Sequence, residues 1–169
     1  GKGYWAWLIA LSSGSTSIGI VADERVHPFN TINTFDKARE WLKNYEPQCS
    51  DRIEEKIDLF QDFLCLKHFS YRCKQLYSED GWCLTGDAGM FLDPLYSPGS
   101  DFVGMNNGFI SDIISKFLQG QNISQEVHEH ERTFRSIFSG FTPIYEDQYS
   151  TMANSKVMSS KFVWDLMMY

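Results

Sequence analysis

The chain has 169 residues, 43% of them hydrophobic and 22% charged, which suits one domain or a piece of a larger one and argues against disorder. A formal net charge of -7 with no basic run disfavours nucleic-acid wrapping and attachment to an anionic membrane surface. No apolar stretch approaches the roughly 20 residues of a membrane span.

In chain order, Gly1-Lys2-Gly3-Tyr4-Trp5 has no initiating Met and no cleavage-site pattern, and reads as the middle of a protein. Tyr4 to Leu11 and Thr16 to Ala22 flank a turn-forming Ser12-Ser13-Gly14-Ser15, a β-hairpin signal. Trp5 and Trp7 are two apart and therefore share one strand face, where they read as core residues. Thr34 is placed to cap a helix through Trp41 and Leu42 to Tyr45, which Pro47 stops. Ser50 is read as the cap of a second helix carrying Ile53, Ile57 and Phe60. Two short strand pieces are expected between Phe63 and Tyr77, with His68 on a strand beside Phe69. After the turn Glu79-Asp80-Gly81, Trp82 to Thr85 reads as a buried strand.

A Pro/Gly-rich stretch from Gly86 to Asp101 leads into a helix capped by Ser100 or Asp101 and stopped near Gly120. A further helix opens at Ser124, with Phe134, Ile137, Phe138 and Phe141 as its apolar stripe and a break or kink at Pro143. Helical pattern resumes through Tyr145 and Tyr149 and from Lys156 to Tyr169. His128 and His130 stand two apart, about 200° around a helix, and are read as part of a solvated charged face. Cys49, Cys65, Cys73 and Cys83 form no C-x-x-C pair, so they are read as reduced, mostly buried thiols of a cytoplasmic protein, with no metal site.

The chemistry concentrates at Gly86–Asp101. A strand delivers Gly86, which allows close backbone approach, and Asp87, which is either a turn former or an acceptor for ligand hydroxyls. Pro98 and Gly99 then set up a helix start, which offers unpaired N–H groups and about half a positive charge.

The string Gly86-Asp87-Ala88-x-x-Phe91-x-Asp93-Pro94-Leu95-x-Ser97-x-Gly99 closely resembles the second flavin-binding motif of flavin-dependent halogenases and related FAD-dependent monooxygenases. Similarity extends to Phe69-Ser70-Tyr71-Arg72, to Trp82-Cys83-Leu84, to the opening hairpin and, more weakly, to Lys161-Phe162-Val163-Trp164-Asp165. The resemblance implies that Asp87 holds a ribityl hydroxyl and that Gly86, Pro94, Ser97, Pro98, Gly99 and Ser100 lie against FAD. It also implies that Trp5, Trp7 and Tyr96 belong to a substrate pocket.

Departures from the family pattern narrow the expectation. No Gly-x-Gly-x-x-Gly phosphate loop is present in these residues, and the family's relay lysine would lie in the N-terminal part that precedes them. Tyr96 stands where tryptophan-specific halogenases carry glutamate, and Pro98 stands where halogenases usually carry Ser or Thr. The expected fold is α+β, a curved antiparallel sheet with C-terminal helices that completes a hydroxylase-like, Rossmann-type flavoprotein. Residues 1–85 form a sheet segment of the substrate domain with two helices, and residues 86–169 hold the second FAD motif and a helical region. The implied activity is halogenase-like oxidation of an aromatic small molecule that is not tryptophan. Oxygen would be activated on reduced FAD, with a possible halide and electrons from a flavin reductase, and the fragment alone would be inactive. The catalytic residues stay unassigned. An FAD-dependent dehydrogenase and a non-catalytic helical interaction domain are the alternatives.

Overall fold

Strand-forming residues on either side of a Gly14 turn (φ +84°) make the longest ladder of the molecule. Strand β1 (Tyr4–Ala10) pairs antiparallel with β2 (Thr16–Ala22), so that Trp7 faces Gly19 across the ladder. The computed structural model describes residues 1–168. They fall into two units, residues 1–67 together with the chain from Glu146 onward, and residues 68–145. The boundary expected between residues 85 and 86 marks the start of the second motif and lies inside the second unit.

In the first unit, α1 (Phe35–Tyr45) begins at Thr34, whose side chain accepts from the Lys37 N–H as the sequence suggests. Pro47 ends that helix but also occupies the first turn of the next, α2 (Pro47–Glu54), where its missing N–H costs nothing. Ser50 therefore lies buried inside α2 and does not cap it. Ile57–Leu59 is a separate 3-10 turn, because α2 stops at Glu54.

Tyr4, Trp41 and Leu42 form the small core of this unit. His27 is buried there: the Trp41 Nε1–H donates to its Nδ1 at 3.1 Å, and its Nε2 lies 2.9 Å from the Lys2 carbonyl. A carbonyl only accepts, so the pair of bonds selects the neutral Nε2–H tautomer and uses both ring nitrogens. Residues Trp5 and Trp7 share a face as expected, with ring centroids 5.5 Å apart. Their indole N–H groups donate to the Tyr149 hydroxyl and the Ser17 hydroxyl, each at 3.0 Å.

The Trp7 indole lies directly over Gly19, where an added Cβ would come within 2.0 Å of the ring. Gly19→Ala is therefore expected to destabilise the hairpin by about 1–3 kcal/mol and to shift the tryptophan emission maximum. Unchanged emission and melting would show that the ring is not held there.

The last described helix, α5 (Ser155–Met168), inverts the usual arrangement. Lys161 and Asp165 form an ion pair at 2.7 Å with both side chains buried, while Trp164 and Met167 are 66% and 78% exposed. Tyr169, included in the expected helix, lies outside the described residues.

In the second unit the strands are only two residues long. Strand β3 (Tyr71–Arg72) pairs with β6 (Met90–Phe91), and β4 (Tyr77–Ser78) pairs with β5 (Trp82–Cys83) across a turn at Gly81. The α+β class thus stands, but the single curved sheet is replaced by separate two-stranded antiparallel ladders. Trp82 is exposed, since so short a strand has no second layer to cover it. His68 is likewise not on a strand; it adopts φ 54° in the loop before β3.

Helix α3 (Gly99–Leu118) packs against α4 (Ser124–Tyr145) through Phe102, Phe134 and Phe138. No side chain caps α3, whose N-cap residue is Pro98, so neither Ser100 nor Asp101 has the capping role expected of them. Pro143 lies within the last turn of α4, where the one hydrogen bond it removes is cheapest, so the helix runs on to Tyr145. His130 contacts Asp112 through Nε2 at 2.8 Å and stacks on Phe109, so it is a helix-to-helix contact more than a solvated residue. Among the described residues no helix is long and apolar enough to cross a membrane. No cluster of three or more His, Cys, Asp or Glu suits a metal ion there either.

Candidate functional site

One turn and one helix start build the site within the second unit. After β5, residues Gly86–Ala88 form a 3-10 turn that Gly86 enters with φ +56°, a left-handed conformation that glycine adopts without a Cβ penalty. Asp87 is exposed on that turn. The chain passes through β6 to Asp93, whose Oδ1 accepts from the Leu95 N–H at 2.8 Å, closing an Asx turn around Pro94. Tyr96 and Ser97 follow with φ 65° and 56°. Successive left-handed residues that are not glycine cost about 1–2 kcal/mol each, and the Ser97 N–H to Pro94 carbonyl bond of 3.0 Å helps to hold the bend. The reversal delivers Pro98 and Gly99 as the start of α3.

A cavity of about 200 Å³ results, lined by Gly86, Asp87, Pro94, Ser97, Pro98, Gly99 and Ser100. All the residues singled out in the sequence for cofactor contact therefore border one space. Met90, Phe91, Leu92, Asp93, Phe102 and Phe134 complete its lining. Phe102 and Phe134 carry no local signal; each reads as an ordinary helix core residue, and only the packing of α3 on α4 turns them toward the cavity. Tyr96 is not among the lining residues and has its ring 6.5 Å from that of Tyr145. Trp5 and Trp7 belong to the first unit.

The chemistry of the lining selects among ligand groups. Its only charged side chains are the carboxylates Asp87 and Asp93, with no Lys or Arg among the described lining residues. A phosphate would meet repulsion there, whereas hydroxyls would donate to Asp87. Apolar side chains form most of the wall and suit a flat ring, and the α3 start supplies partial positive charge at the rim. The volume is below the roughly 300–1,000 Å³ of a complete small-molecule site, so it suits part of a large ligand.

The chain is similar to known flavin-dependent enzymes. The chain is 26% identical, over its whole length, to the flavin-dependent halogenase chlA of Dictyostelium discoideum. It is 30% identical over 70% of its length to the 1H-pyrrole-2-carbonyl-[peptidyl-carrier protein] brominase of Pseudoalteromonas luteoviolacea (strain 2ta16). These similarities support a flavin-dependent halogenase and monooxygenase family for the chain. It spans 28% and 29% of the lengths of these two relatives. Among solved structures, a flavoprotein/dehydrogenase from Cytophaga hutchinsonii shares the fold, with a TM-score of 0.62 and 24% identity over 88% of this chain and 35% of that one. No family model matches the chain. In this chain, residues 86–100 are the segment in which the motif-like string and the cavity coincide.

Proposed function

We propose that this chain carries the ring-side part of the FAD site of a halogenase-like monooxygenase that acts on an aromatic small molecule other than tryptophan. The observation that carries the reading is the meeting of the Asp87 turn, the Pro94 bend and the α3 start around one cavity without a basic residue. Asp87 accepts a hydroxyl of the ribityl chain. Pro94, Phe91 and Phe102 exclude water from one face of the ring. Backbone from Ser97 to Ser100 directs the positive end of α3 at the ring edge, where negative charge collects on reduction. Reduced flavin, when bound, supplies the activation of oxygen; this segment supplies placement, dryness and a favourable field. The family resemblance supports a halide as co-substrate and a separate flavin reductase as electron source, and the unpaired cysteines support a cytoplasmic setting.

The competing reading is an FAD-dependent dehydrogenase without halide use, and the Cytophaga neighbour's description favours keeping it in view. The complete polypeptide that carries these residues, given FAD, NADH, a flavin reductase, bromide and a phenol, is expected to form the bromophenol. Dehydrogenation of substrate with no brominated or hydroxylated product would decide for the dehydrogenase.

A further inference from the structure

Asn106 is a polar residue in the core of the second unit, 1% exposed, in the second turn of α3. Its Nδ2 donates to the Leu84 carbonyl at 3.0 Å. A carbonyl only accepts, so the amide orientation is fixed: Oδ1 faces the Tyr77 hydroxyl, which donates to it. Two neighbouring contacts follow the same line. The Thr85 hydroxyl donates to Asn107 Oδ1 at 2.8 Å, and a Cβ on Gly86 would touch Val103 at 3.4 Å. Leu84, Thr85 and Gly86 thus lie against the stretch of α3 between Val103 and Asn107, and the next residue is Asp87.

From Asn106 back to Gly99 is about 10 Å of helix at 1.5 Å per residue, and only three positions separate Leu84 from Asp87 on its 3-10 turn. Asn106 therefore clamps the root of the Asp87 turn to the same helix whose start forms the opposite rim of the cavity.

We propose that Asn106 is a positioning residue for the flavin site, setting the separation between the Asp87 carboxylate and the amide end of α3. This rests on the assignment of Asp87 to the flavin.

The experiment is a double-mutant cycle in the complete polypeptide, reading the FAD dissociation constant and the melting temperature of wild type, Asn106→Leu, Asp87→Ala and the double variant. Asn106→Leu is expected to weaken FAD about tenfold. In the double variant affinity is expected to fall no further than in Asp87→Ala alone. Thr85→Val, an exposed change that loosens the same tether, is expected to weaken FAD two- to threefold and serves if Asn106→Leu does not fold. The proposal is overturned if these variants lower the melting temperature but leave affinity within twofold of wild type, or if the losses from Asn106→Leu and Asp87→Ala simply multiply. With Asp87→Ala still weak in those cases, the flavin assignment survives. If Asp87→Ala itself binds FAD normally, the assignment and the proposal fall together.

Discussion

Asp87→Ala is expected to weaken FAD binding by about 10- to 100-fold while leaving the melting temperature of the protein within a degree or two. The magnitude follows from removing a charged acceptor from a ligand hydroxyl, worth about 1.5–3 kcal/mol, at tenfold in affinity per 1.4 kcal/mol. The neutral effect on stability follows from the exposure of Asp87 on its turn. Asp87→Asn separates charge from shape: it keeps one acceptor oxygen and is expected to fall between wild type and Ala. Isothermal titration with FAD on each variant, alongside thermal melting, measures both quantities. A large loss of stability in Asp87→Ala would mean that the carboxylate holds the turn, the bland role that a Gly-Asp pair before a loop also allows.

The second large effect is structural. Phe138 is 1% exposed; its ring lies 5.3 Å from that of Phe102, and the Arg72 guanidinium lies 5.1 Å over it. Arg72 is oriented for that contact by bonds to the hydroxyls of Ser139 and Thr142. Phe138→Ala removes a buried ring and leaves a cavity, a loss of about 3–5 kcal/mol, to which the lost cation–π contact contributes up to about 1 kcal/mol. That is a large share of the 5–15 kcal/mol stability of an ordinary domain. Denaturant unfolding followed by circular dichroism is expected to show the midpoint falling accordingly. Since Phe102 packs on Phe138 and also lines the cavity, FAD affinity is expected to fall with stability. A loss below about 1 kcal/mol would contradict the packing between α3 and α4.

Local rules of sequence reached some of these features and missed others for identifiable reasons. The hairpin, the Thr34 cap and the two long helices are set by patterns within a few residues, and each is found near where the sequence places it, although α3 follows directly on Pro98 and α4 runs through Pro143. The pairings of β3 with β6 and of β4 with β5 involve two residues a side, too few for any period to register. Glu131 illustrates a different limit. It reads as one charge among several on a helix, yet its Oε2 accepts from both the Leu76 and Tyr77 N–H groups at 2.8 and 3.1 Å. That carboxylate completes the backbone hydrogen bonding of a segment too irregular to satisfy itself, a role visible only once the segment has docked. Asn106 escaped for the same reason: an Asn in an Asn-Asn pair reads as solvent-facing, and its partners lie 22 and 29 residues away in sequence. Trp164 and Met167 show the converse, since α5 buries its ion pair and exposes its apolar residues.

The motif itself was legible because its chemistry is local. Gly86, Asp87, Pro94 and the Pro98-Gly99 helix start are close enough in sequence that a single reversal of the chain brings them together. The reversal depends on Tyr96 and Ser97 in left-handed conformations, which neither residue type advertises.

Amide hydrogen exchange of the complete polypeptide with and without FAD shows whether residues 86–102 hold the flavin. Amides across residues 86–102 are expected to slow by about tenfold or more on FAD addition, with the change centred on the Asp87 turn and the first turn of α3. FAD bound at saturating concentration with exchange across that segment unchanged would contradict that role.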